Sequence, residues 1–88
     1  VKTRFRESFT KDLLKIGEKS VLKRIRDVVE HIERTENIKD IPNLKKLKGT
    51  TGFYRVRVGD FRVGLAVEDD TVTFVRCLHR REIYRYFP

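Results

Sequence analysis

Arg55, Arg57 and Arg62 stand close together in FYRVRVGDFRV, residues 53–63, inside an otherwise apolar run. Period-two alternation on either side of Gly59-Asp60 predicts a β-hairpin with a two-residue turn, in which glycine can take a positive φ. That turn sets Val58 opposite Phe61, Val56 opposite Val63 and Tyr54 opposite Leu65, an apolar face for helices to cover. The other face then pairs Arg57 with Arg62, Arg55 with Gly64 and Phe53 with Ala66. Like charges opposed on paired strands repel, so folding alone gives no reason for this crowding. A phosphodiester would offset it. Guanidinium groups make bidentate contacts that suit phosphate geometry. The plainer alternative is a solvated sheet face that tolerates arginine.

The C-terminal run HRREIYRYFP adds His79, Arg80 and Tyr84 directly after the last predicted strand. A second two-residue turn at Asp69-Asp70 places Cys77 beside Arg62 and His79 at the edge of the arginine face. His79 can act as general base or acid near neutral pH, and Tyr84 can move a proton or stack on a base. Equally, Tyr84, Tyr86 and Phe87 can pack the tail back onto the sheet. The same alternation sends Arg76 to the helix-covered face, where it needs a bulge, a helix-borne partner or an edge position. Lys45, Lys46 and Lys48 form a basic patch leading into the sheet, able to contact RNA backbone or to keep a loop soluble. Cys77 and the two histidines do not make a metal-ligand set, and there is no phosphate-binding glycine loop or nucleophile triad. No metal or cofactor is expected.

The elements that must carry these residues follow from periodicity. VKTRF (1–5) reads as a short strand. Ser8 is a plausible N-cap for a short helix through Phe9, Leu13, Leu14 and Ile16 that ends at Gly17. From Ser20 to about Thr35, Val21, Leu22, Ile25, Val28, Val29 and Ile32 recur at helical steps, predicting a second helix antiparallel to the first. Residues 36–52 hold Asn37, Pro42, Asn43, Gly49 and Gly52 and read as a connection with Leu44 and Leu47 tucked inward. FYRVRV, FRVGLAVE and TVTFVRCL then predict a three-stranded antiparallel meander. The expected fold is α+β: two N-terminal helices on one face of a small antiparallel sheet, built from the first strand and the meander.

Composition narrows the function. The 88 residues suit one domain spanning 1–88, near the lower size limit for a single core. A formal net charge of +8 favours a polyanionic partner. No stretch is long and apolar enough for a membrane span, so no membrane partner is expected. A lone cysteine excludes an internal disulfide and fits the cytoplasm. With no methionine in the chain, the numbering is expected to begin after a trimmed end.

LKKLKG, YRVRVGDFRV and HRREIYR, in this order after two helices, resemble the RelE branch of the RelE/ParE toxin superfamily over nearly the whole chain. The resemblance implies a type II toxin–antitoxin toxin: a small endoribonuclease that cuts mRNA in the ribosomal A site. It implies neutralisation by an acidic cognate antitoxin, with which the toxin forms a hetero-oligomer on operator DNA. It also implies metal-free attack of the 2′-hydroxyl on the neighbouring phosphate, leaving a 2′,3′-cyclic phosphate and a 5′-hydroxyl. Arg55 and Arg57 match the two basic positions of the second strand in that family. Arg62 matches the arginine after the hairpin turn, Arg80 the arginine past the last strand, and Tyr84 the C-terminal tyrosine. The best-known member of the branch has lysines where this chain has Arg55 and Arg57. Arginine effectively cannot lose its proton, so the general base falls to His79 first and Tyr84 second. The ParE branch, which inhibits DNA gyrase and cuts nothing, lacks this set as a class. A non-catalytic basic binding module is the third reading.

Overall fold

The computed structural model describes residues 1–88. Strand β1 (Lys2–Phe5) leads into helix α1 (Glu7–Leu14), and α2 (Lys19–Arg34) follows after a short connection. A 3-10 turn (Ile38–Asp40) and a short strand β2 (Leu44–Lys46) precede the meander β3 (Phe53–Val58), β4 (Phe61–Glu68) and β5 (Thr71–His79). One turn of helix, α3 (Ile83–Tyr86), closes the chain. The sheet runs β1-β5-β4-β3-β2. The predicted α+β fold is therefore present, with two additions. Leu44–Lys46, expected as part of a connection, pair antiparallel with β3 as a fifth strand, and β1 pairs parallel with β5, which makes the sheet mixed.

The helix-side core joins Phe9, Ile25 and Ile32 to Val56, Val58, Val63, Leu65, Val72, Phe74 and Cys77 from the sheet. The helical stripe read from the sequence thus covers the predicted apolar face. Ser8 is not an N-cap. Arg6 occupies that position without a side-chain cap, and the Ser8 hydroxyl donates instead to the Val75 carbonyl on β5. Both two-residue turns form as expected, Val58 pairing with Phe61 and Glu68 with Thr71. Gly59 supplies the positive φ, +60°, of the first.

The opposite face is only partly open. Ile83 and Phe87 fold back and bury themselves against Leu47, with Phe53, Val75 and Leu78 packed around them. Gly64, paired with Arg55 on the arginine face, is the seat of this second cluster. A Cβ on Gly64 would meet three ring carbons of Phe87 at 3.0 Å. Gly64→Ala should therefore overpack the seat and destabilise the domain by about 1–3 kcal/mol. Equal denaturation midpoints for variant and parent would contradict this packing role.

Candidate active site

The β3–β4 register matches the sequence reading pair for pair: Arg57 faces Arg62, Arg55 faces Gly64 and Phe53 faces Ala66. Each pair is set by the distance to the Gly59-Asp60 turn, so the three arginines share one face by construction. β2 extends that face, because Lys45 pairs with Arg55. The tail brings two more groups. Arg80 donates its N–H to the Asp60 carbonyl at 2.7 Å, which fixes it beside the first turn. Ile83 and Phe87 anchor α3 on the sheet and leave Tyr84 between them, 64% exposed, with its ring 5.7 Å from Arg55 Cζ.

Arg62 is the centre of the cluster. Its Nη1 donates to the carbonyls of Gly59 and Phe61, both at 2.9 Å, so the guanidinium is held by its own turn. Its pKa lies below the ordinary value, first through partial burial and then through the charges of Arg55 and Arg57. Tyr84 opposes that shift and Arg80 adds to it. Arg55, Arg57, Arg80 and Tyr84 are therefore all within electrostatic reach of Arg62. Cations held this close favour an anion with several oxygens, and bidentate donors suit a phosphate. Beside them lies a hollow of about 500 Å³ lined by Lys45, Lys46, Lys48, Arg55, Tyr84 and Phe87. The three lysines are thus continuous with the arginine face.

His79 is placed elsewhere. It pairs with Phe61 and packs edge-on against that ring at 5.7 Å, while its Nδ1 accepts from the Arg81 N–H at 3.2 Å. Cys77 pairs with Val63 and is buried in the helix-side core, so it is not beside Arg62. Leu78 takes the place expected for Cys77. The cause is an extra residue: pairing passes from Leu65–Phe74 to Gly64–Arg76, and Val75 is left over as a bulge. Everything after it moves by one position, which exchanges faces. Arg76, expected to need rescue, gains it from Asp12 on α1. Sequence reasoning missed Asp12 as the partner of Arg76, and it offered tail packing by Phe87 without finding that the ring seats on Gly64. The available signals were the conflict at Arg76 and a glycine in mid-strand, which often marks a close approach.

Comparison with known proteins places the chain among toxins. The family described as "ParE toxin of type II toxin-antitoxin system, parDE" matches residues 3–84. Toxin RelE3 of Methanocaldococcus jannaschii is 39% identical over 89 residues, covering 100% of both chains. The RelE of a RelB-RelE antitoxin-toxin complex from Methanococcus jannaschii superposes with a TM-score of 0.81 at 38% identity, over 97% of this chain and 99% of that one. An archaeal RelE-RelB complex from Pyrococcus horikoshii OT3 shares the fold, with a TM-score of 0.70 at 23% identity over 90% and 93% of the two chains.

Proposed function

The chain belongs to the RelE/ParE superfamily as a type II toxin of the RelE family, and we propose that it is a ribosome-dependent endoribonuclease acting on mRNA in the A site. The observation that supports this most is the convergence of Arg55, Arg57, Arg62, Arg80 and Tyr84 on one sheet face. In the proposed reaction the 2′-hydroxyl gives up its proton as its oxygen attacks phosphorus, the O2′–P bond forms, the P–O5′ bond breaks, and the leaving 5′-oxygen takes a proton from solvent. The arginines hold the phosphate oxygens, where charge increases on the way to the transition state. The exposed lysines 45, 46 and 48 track the adjoining backbone, a contact that needs only charge.

Tyr84 is the group in this cluster that takes the proton from the 2′-hydroxyl. Arginine cannot serve, since it stays protonated, and His79 stands on the helix side of the sheet. His79→Gln should therefore leave the cleavage rate within about threefold of the parent, with the same pH dependence, a small change beside the 100-fold or more of a lost base. A loss of 100-fold or more in that variant would return the base to His79.

The ParE description of the matching family favours a second reading, inhibition of DNA gyrase without any cleavage. The two readings separate in a pair of assays: cleavage of ribosome-bound message, and supercoiling by gyrase. The endoribonuclease reading expects the first to respond and the second not.

The relatives crystallised as RelB-RelE and RelE-RelB complexes lead us to propose an antitoxin partner here too. A surface at +8 suits an acidic segment draped across the arginine face, and toxin and antitoxin together would bind operator DNA. Association should slow steeply between low and physiological salt. A rate independent of salt, or an interface that leaves Arg55 and Tyr84 uncovered, would contradict neutralisation by occlusion.

A further inference from the structure

The end of β5 has two registers open to it. Running on regularly from the Asp69-Asp70 turn, Val75 would pair with Gly64, Arg76 with Val63 and Cys77 with Arg62. The structure instead spends Val75 as a bulge and pairs Arg76 with Gly64, Cys77 with Val63 and Leu78 with Arg62. Arg76 decides between them. In the regular register it would oppose Val63, which has no exposed surface, and an unpartnered cation there is costly. In the bulged register its Nε and Nη2 donate to Asp12 Oδ2 and Oδ1 at 2.7 and 3.0 Å.

The clamp sits where the sheet needs closing. β1 pairs with β5 only as far as Phe74, so β5 has a free edge beyond it. α1 fills the gap. The Arg6 N–H donates to the Phe74 carbonyl, Ser8 to the Val75 carbonyl, and Asp12 Oδ2 accepts from the Cys77 N–H at 2.9 Å. The bulge then delivers Leu78 to the cluster that seats Ile83 and Phe87, and it aligns Arg80 with Asp60. In the regular register Leu78 would leave that seat and Arg80 would move on by one position.

We infer that Arg76, clamped by Asp12, is a positioning residue that selects the bulged register of β5 and so sets Arg80 and Tyr84 against Arg62. Its effect on catalysis rests on the cleavage reading above; its effect on register does not.

Cys77 reports the register independently of any activity. In the parent it is 2% exposed, and burial, helped by Asp12, pushes its thiol up to about 12. Replacing Arg76 with Val and Asp12 with Asn together removes both the buried charge and its partner. The regular register then becomes available, and Cys77 emerges beside Arg62. A thiol reagent at neutral pH should label the folded double variant at least about 100-fold faster than the parent. Cleavage should fall by roughly the same factor. Deleting Val75 in that background leaves only the native alignment of residues 76–80, and should restore both thiol protection and cleavage. Asp12→Asn alone should keep Cys77 protected, because Arg76 still cannot enter the core.

Three results would overturn the inference. One is a folded double variant whose thiol is as protected as the parent's. Another is Asp12→Asn alone being labelled as fast as the double variant. The third is a shifted thiol with unchanged cleavage. Should the double variant not fold, the version lacking Val75 decides: folded with a protected thiol supports the inference, and unfolded overturns it. If the parent itself cuts no RNA, the cleavage reading fails while the labelling still settles the register.

Discussion

Replacing Tyr84 with Phe is expected to slow cleavage of ribosome-bound message roughly 1,000-fold, within the range that loss of a general base produces. The ring remains, so RNA affinity should change by no more than about threefold, the stacking face being intact. Stability should also hold, because α3 is anchored by Ile83 and Phe87 while Tyr84 projects outward, 64% exposed. The expectation follows from exclusion as much as from presence. Four arginines crowd the site and none can accept a proton. The bulge at Val75 has carried His79 to the other side of the sheet. A Tyr84→Phe variant that cuts as fast as the parent would show that the base is a group outside this chain.

Arg62→Ala is expected to cost about 100-fold in the same assay, the scale of losing one preorganised contact to a developing anion. Two features support the magnitude. The guanidinium is fixed by the carbonyls of Gly59 and Phe61, so it need not be ordered when RNA arrives. Its pKa is depressed first by partial burial and then by Arg55, Arg57 and Arg80, a cationic setting in which an incoming phosphate is the natural partner. Removing it relieves that repulsion and gives up only the two bonds to its own turn. Stability should therefore stay within about 1 kcal/mol of the parent. A variant that unfolds would make Arg62 a structural residue and deprive the cluster of its meaning.

What could be read from the sequence was whatever a short-range rule determines. A two-residue turn fixes pairing outward from itself, so Arg55, Arg57 and Arg62 could be assigned to one face from Gly59-Asp60 alone. The stripe from Val21 to Ile32 likewise set α2 and the face it covers. What stayed hidden depends on distant partners. The Val75 bulge goes with Arg76, which cannot enter the core and finds its partner in the distant Asp12, and no turn rule next to Asp69 contains that fact. Its shadow was visible, since the regular register forced Arg76 into the core. β2 escaped notice because three residues, two of them lysine, form a strand only by pairing with β3. Gly64 was placed correctly opposite Arg55, but the space its missing side chain leaves is taken by Phe87 from the chain's own tail.

The family's two branches make opposite statements about chemistry, and one experiment separates them. Purified protein is added to ribosomes stalled on a defined message, the RNA ends are mapped, and their chemistry is determined. The arginine–tyrosine face predicts a break within the A-site codon, a 5′-hydroxyl on the downstream fragment and a 2′,3′-cyclic phosphate on the upstream one. Tyr84→Phe and Arg62→Ala should each suppress the break without releasing the protein from the ribosome. An intact message, together with inhibition of gyrase supercoiling by the same preparation, would contradict the endoribonuclease assignment.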